Sequence, residues 1–393
     1  MKHISGLPTF ASRRLRGSGL WIPSLALALL SVGCGGPGAV RQSSVFYPPL
    51  PQPPKVQFLA RFQNSEDLGV KVGTFQKFVT GQKIRRQDLV KPHQSVLYRG
   101  RFYTCDSRRA EVVVMDLAER RMWVLGEEEE FHFGKPMSIA IASDGTKYVA
   151  DNVKKRIFVF DAGDRFVGAF GEDGQFGPTS VAVYGDSLFV ADVEGHEVEI
   201  LDRNTGQVMH RLTGSEESAT GTLLMPANLA VDSRGMLYVA DLLAANIHVF
   251  DRDLSFVRNI GRQGDQLGRF ARPRGIAVDR SGFVYVSDAA FENVQVFSPE
   301  GELVLFFGGP GTDPGDMYLP SGVTISYDGL ELFADRVDGR FDVSYLLIVA
   351  NQYGPNGVSV YGFGTPRENA FAIPRQTSPR DEAGGSTGSK EDG

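Results

Sequence analysis

Cysteine is almost missing from this chain: 393 residues contain two, Cys34 and Cys105. So few exclude a disulfide-stapled scaffold, which needs cysteines in paired sets. No Cys-x-x-Cys-His occurs, which excludes a covalently attached c-type haem. Excess positive charge is missing as well. Lys and Arg number 41 against 47 Asp and Glu, a formal net charge of -6. A nucleic-acid binder would present a basic surface, and this balance argues against one. The apolar run from Leu20 to Leu30 is too short for a comfortable membrane span.

What is present divides the chain into four segments. Lys2, Arg13, Arg14 and Arg16 give a basic start; the apolar run follows, then Leu30-Ser31-Val32-Gly33-Cys34. This resembles a bacterial lipobox, which implies a signal peptide over residues 1–33 and acylation of the Cys34 thiol. Each buried methylene contributes about 0.8 kcal/mol, so two or three acyl chains anchor stably. Gly35, not aspartate, follows the cysteine; by resemblance to envelope sorting rules this implies the outer membrane, periplasmic or surface leaflet. Residues 34–55 are rich in Gly and Pro and read as a tether that reaches up to about 60 Å. Residues 56–364 hold the folded domain. Residues 365–393 combine Gly, Ser, Thr and mixed charges with little apolar content, and read as a disordered tail.

The folded segment is built from one unit used six times. A proline opens each: Pro92, Pro136, Pro178, Pro226, Pro273 and Pro320. A carboxylate or its amide closes the second strand: Asp106, Asp151, Asp192, Asp241, Asp288 and Asn351. By subtraction the separations are 14, 15, 14, 15 and 15, and then 31. Between proline and carboxylate lie two alternating strands and a turn, such as Asp144-Gly145 or Ser281-Gly282. Third strands begin six residues after each Asp, at Val112, Ile157, Val198, Ile247 and Val294, and a fourth follows in each unit. Four antiparallel strands per repeat predict an all-β, six-bladed propeller. Unit six has no fourth strand after Gly364. The unassigned run Val56 to Phe62 is expected to supply it and so close the ring.

The strands Tyr148-Val149-Ala150-Asp151 and Tyr238-Val239-Ala240-Asp241 and the steps Asn246-Ile247 and Asn293-Val294 resemble the NHL repeat. So do Gly261-Arg262-Gln263-Gly264 and Gly308-Gly309-Pro310-Gly311. More narrowly, Asp288 to Phe297, Asn351-Gln352-Tyr353-Gly354-Pro355 and the proline-rich stretch before Val56 resemble bacterial six-bladed propeller lipoproteins. That resemblance implies an exported, monomeric scaffold that binds an envelope protein, in a group that often accompanies multihaem cytochrome systems.

Propellers place ligands at the mouth of the central channel, which makes the residues after the prolines candidates: His93, Met137, Thr179, Ala227, Arg274 and Ser321. They include no paired carboxylates and no nucleophile with its base, so no catalytic residue is assigned. Two enzyme alternatives remain, a metal-dependent lyase and a lactonase-like hydrolase. The peptidyl-hydroxyglycine lyase propellers hold zinc on three histidines, whereas His93, His132, His196, His210 and His248 do not recur at one inner position. The lactonase propellers use Glu, Asn and Asp with calcium; Asn228 and Asp279 are available, and the remaining positions find no match. No metal or other cofactor is therefore assigned. The Asp/Asn series reads as structural: each member ends a strand and accepts backbone N–H bonds from the loop that follows. Unit six also carries about sixteen extra residues within 327–344. Leu330, Phe333 and Val337, at helix-like spacing, together with Phe341 are the candidate partner loop.

Overall fold

The computed structural model describes residues 44–69, 88–127, 131–171, 176–213, 221–368 and 370–371. Residues 1–33, Cys34 and the segment from 372 onward lie outside the described residues. Among the described residues the strands form six antiparallel sheets, five of four strands and one of five. The innermost strand of each sheet starts at its repeated proline: β3 (Pro92–Tyr98), β7 (Pro136–Ile141), β11 (Pro178–Tyr184), β15 (Pro226–Val231), β19 (Pro273–Val278) and β23 (Pro320–Ser326). Proline suits a first strand position because it has no N–H to give to the ladder. The chain folds as a six-bladed propeller.

Blade six is composite. Its order from outside to centre is β1 (Phe46–Tyr47), β2 (Val56–Phe62), β25 (Val358–Pro366), β24 (Phe341–Asn351) and β23. Val56 pairs with Phe363 and Phe62 with Val358, so the N-terminal run fills the fourth position as expected. β1 adds a fifth strand, and Phe46 is 5% exposed against Phe341. Residues 46–47, placed in the tether on composition alone, thus belong to the blade. Proline content hid a two-residue strand.

The apolar core lies between blades. Each of six clusters of buried side chains spans two neighbours, as where Tyr103 and Val112 of blade one meet Val149 and Phe158 of blade two. The last, which joins blade six to blade one, gathers Phe62, Phe102, Leu346 and Val360. Nearer the axis the blades are stitched by side chains that accept a neighbour's backbone N–H. Gln94 Oε1 accepts from Ile139 N at 2.8 Å, Ser138 Oγ from Val181 N at 3.1 Å and Ser180 Oγ from Leu229 N at 3.2 Å. At the equivalent place in blade five stands Gly275, and a Cβ there would lie 2.3 Å from the Ser321 carbonyl oxygen. Only glycine fits so close an approach. Ser287 Oγ takes over, accepting from Gly275 N and donating to Ser321 O, both at 2.8 Å.

Candidate functional site

The strand register explains why the residue after each proline faces the channel mouth. Pro92 pairs with Asp106 but Gln94 with Cys105, so His93 is skipped. The same bulge leaves Met137, Thr179, Ala227 and Arg274 unpaired in blades two to five, and Ser321 and Gly322 in blade six. A bulge re-aims the extra side chain out of the ladder. Six such side chains therefore ring one end of the channel.

The carboxylate series sits directly behind this ring, and in Asp106, Asp151, Asp241 and Asp288 both oxygens are occupied. Asp288 accepts from Ala271 N at 2.8 Å, Arg272 N at 3.1 Å, Ala290 N at 2.9 Å and Phe291 N at 3.2 Å. Asp106, Asp151 and Asp241 repeat this pattern with four backbone donors each. Asp192 accepts from Gly177, Glu194 and Gly195, all at 2.9 Å. Two donors to each of Asp106, Asp151, Asp241 and Asp288 and one to Asp192 come from the loop before the proline, which the sequence reading did not include. One carboxylate thus ties together the two loops of each blade that meet at the mouth.

At the mouth itself the seam of blades five, six and one is polar. Ser321 Oγ lies 3.2 Å from His93 Nδ1 and accepts from Gln352 Nε2 at 3.2 Å. His93 is 7% exposed, and its imidazolium is disfavoured first by burial and then by Arg274, Lys91 and Lys135, which lower its pKa to about 3. Burial, and then Arg272, also lower the pKa of Arg274, whose buried Nε has no hydrogen-bond partner. Lys91 lies over the Tyr353 ring, which meets the Tyr318 ring edge-on. The sequence reading named His93, Arg274 and Ser321 and missed Gln352, Lys91 and Lys135. Their signal was adjacency: Lys91 and Lys135 precede repeated prolines, and Gln352 follows Asn351. Met137, Thr179 and Ala227 occupy the opposite arc and bring no charge.

The other candidates are dispersed. His196 and His210 are exposed on blade three, His248 is buried in blade four, and His132 lies before blade two. Asn228 stands near the mouth. Its counterpart in blade five, Gly275, is four residues before Asp279, roughly 13 Å along a strand, so Asn228 and Asp279 face opposite ends. Among the described residues one group of carboxylates comes together, Asp192 at the end of the second strand of blade three with Glu197 and Glu199 on the third. Arg211 stands 2.6 Å from Glu197 and 2.7 Å from Glu199, and burial raises the Glu199 pKa to about 7.

The candidate partner loop needs correction. Leu330–Phe333 forms a short 3-10 turn, and residues from Phe341 onward lengthen β24. Phe333 is 1% exposed because it closes over Phe62 in the cluster that joins blade six to blade one, and Phe341 is 0% exposed, packed edge-on against Phe46. Neither can contact a partner. Leu330 and Val337 are half-buried and line a cleft of roughly 320 Å³ with Leu59, Ala334, Val343 and Arg367.

Fold and site together define a six-bladed β-propeller with a positively charged channel mouth. The NHL repeat matches residues 270–297, the stretch from Phe270 to the end of the third strand of blade five, so the protein is a propeller that carries an NHL repeat. No curated protein matches the sequence. A protein of unknown function from Bacteroides thetaiotaomicron is similar in structure, with TM-score 0.53, 16% identity and 70% of each chain covered. An auxiliary nutrient binding protein from the same organism gives TM-score 0.52 at 12% identity, covering 70% of this chain and 69% of its own. A virginiamycin B lyase from Staphylococcus aureus reaches TM-score 0.48 at 11% identity, covering 72% and 86%. At these identities the likeness is one of fold.

Proposed function

We propose that this chain is a lipid-anchored envelope scaffold whose propeller docks a protein partner on the face around the channel mouth. The observation that carries this reading is the clustering of exposed apolar side chains on that face. Val90, Leu224 and Tyr318 precede the prolines; Val153, Leu243 and Tyr353 follow the carboxylates; all six are 42–66% exposed. Because each proline pairs with its carboxylate, both sets of loops share one end of the propeller. Apolar groups gathered on one face mark an interaction surface more often than scattered ones do. Between them stand Lys91, Arg108, Lys135, Lys154 and Arg272, a basic set on a chain of net charge -6. The complementary partner is acidic and apolar. The lipobox resemblance supports an outer-membrane anchor at Cys34, and the family resemblance supports a place beside an exported multihaem cytochrome system.

The test is site-specific photo-crosslinking in cells. A crosslinker in place of Leu243 should give a defined adduct, and one in place of Val257, exposed on the outer strand Phe256–Ile260, should not. Equal labelling at both positions, or at neither, would overturn the docking face. Separately, Cys34→Ser should release the protein from membranes; a variant still bound there would sink the anchor.

A further inference from the structure

The seam of blades five, six and one holds hydrogen-bond donors that no acceptor satisfies. One order of protons leaves a donor facing the channel. Gln352 Nε2 can only donate, so it donates to Ser321 Oγ, at 3.2 Å. The Ser321 hydroxyl proton is then free to point at His93 Nδ1, 3.2 Å away. A neutral imidazole that accepts at Nδ1 carries its proton on Nε2. Among the described residues no protein group stands on that Nε2. Arg274 stands two positions away in the ring, with Ser321 of blade six between them. Its neighbour Gly275 lies against the Ser321 carbonyl, and Gly322 in turn lies against the His93 carbonyl. Three consecutive inner strands thus bring Arg274, Ser321 and His93 to one arc of the mouth.

Among the described residues no carboxylate forms an ion pair with Arg274, Arg272, Lys91 or Lys135. Asp106 and Asp288, which end the second strands of blades one and five, have their oxygens taken by backbone N–H groups, and Glu292 Oε1 accepts from Leu319 N at 3.2 Å. Arg274, Lys91 and Lys135 are half-buried, and cations so placed without counter-ions are costly unless something anionic completes them. The burial of His93 in its neutral form fits the same field, because a second cation there would add repulsion. We infer that this arc of the channel mouth is a carboxylate receptor, in which the Arg274 fork and the His93 Nε2–H hold the two oxygens of one carboxylate. Lys91 and Lys135 steer the anion from the rim. A guanidinium and a carboxylate match in planar, two-bond geometry, and a neutral imidazole N–H adds a donor without charge. The inference rests on the docking reading only for the source of the carboxylate, a free organic acid or an acidic group of the partner.

The test uses purified full-length protein with histidines labelled, titrated with succinate, with a peptide rich in Asp and Glu, and with inorganic phosphate. Succinate or the peptide should shift the His93 ring resonances saturably. Arg274→Gln should weaken that binding about 10- to 100-fold, the effect of one charge-assisted pair. Arg274→Lys should recover part of it, and His93→Gln should weaken it about tenfold. Leu243→Ser, on the apolar face, should leave succinate binding unchanged while it lowers crosslinking to the partner. Binding of the peptide alone, lost in Arg274→Gln, supports the receptor and assigns its source to a protein. Binding of succinate, equally lost, supports it with a free acid as a source, even if the docking face fails its own test. The receptor is overturned if phosphate binds and neither carboxylate does, if nothing binds, or if Arg274→Gln and His93→Gln both bind as the wild type does.

Discussion

Blades five and six use the same plan and differ where the strand-ending residue meets its loop. In blade five Asp288 only accepts, from four backbone N–H groups. In blade six Asn351 accepts from Tyr318 N at 3.3 Å and also donates, to the Asn356 carbonyl at 2.7 Å and to Ser359 Oγ at 3.3 Å. The loop after Asn351 is one residue longer than that after Asp288 and turns a carbonyl inward, so the position needs a donor that aspartate lacks. Asn351 is thus required by its loop and is not a weakened aspartate. Blade six departs further, since it borrows two strands from the N-terminal side and carries a cap that blade five lacks.

The cap gives the largest expected effect. Phe333 fills the junction between the borrowed β2 and blade one, where Phe62 and Phe102 also meet. Phe333→Ala should cost about 3–5 kcal/mol, as a large core aromatic does, and lower the thermal midpoint clearly. A change within about 0.5 kcal/mol, the scale of an ordinary surface substitution, would mean that the closure of blade six does not depend on its insertion.

A reciprocal exchange comes next. Asn351→Asp sets a carboxylate oxygen against the Asn356 carbonyl, and Asp288→Asn turns an amide N–H₂ toward the Ala271 N–H. Each should cost about 2–3 kcal/mol in denaturant unfolding, because a buried group loses its partner and meets its like. If either exchange is neutral, the two positions are interchangeable and the distinction between the blades fails.

The seam beside blade six should also carry a pH dependence that the regular blades do not share. His93 has a folded pKa lowered to about 3 from the ordinary 6.5, by burial first and then by Arg274, Lys91 and Lys135. The unfolded chain therefore binds the proton more readily between those values. Stability is fully present above pH 6.5 and falls as pH drops toward 3, by up to about 1.4 kcal/mol per pH unit from this group. His93→Gln should flatten that slope, measured as unfolding free energy from pH 7 to pH 5. An unchanged slope would show that the imidazole is not held neutral by the fold.

The sequence exposed what is local and concealed what crosses the ring. The separation of 14 or 15 residues between Pro and Asp is a property of one hairpin, so it could be read directly. The role of Val56 to Phe62 followed from a blade that lacked a strand. The bulge at His93 and Arg274 was hidden, because register depends on which residue pairs with the carboxylate. The bond between His93 and Ser321 joins positions 228 residues apart, across the ring closure. Helical spacing placed Leu330 and Phe333 on one face, but only Phe62 of the borrowed strand and Phe102 of blade one decide that Phe333 is covered.

The smallest predicted effect probes how blade five is tied to blade six. Tyr285 OH lies 2.6 Å from Tyr345 OH, and Tyr345 OH donates to Asp279 Oδ2 at 2.9 Å. In blade four the matching Tyr238 reaches Asp232 and Arg234 of its own blade. Tyr345→Phe keeps the ring stacked on Phe363 and removes one hydroxyl, so it should cost about 1 kcal/mol. Tyr238→Phe should cost a similar amount, but the two differ in coupling. A double-mutant cycle of Tyr285→Phe with Tyr345→Phe should show an interaction of about 0.5–1 kcal/mol across the blade boundary, and Tyr238→Phe with Tyr345→Phe should be additive. Additivity in the first cycle would mean that the phenol pair adds nothing to the joint, leaving the apolar cluster with Tyr361 and Val349 to hold the sixth blade against the fifth.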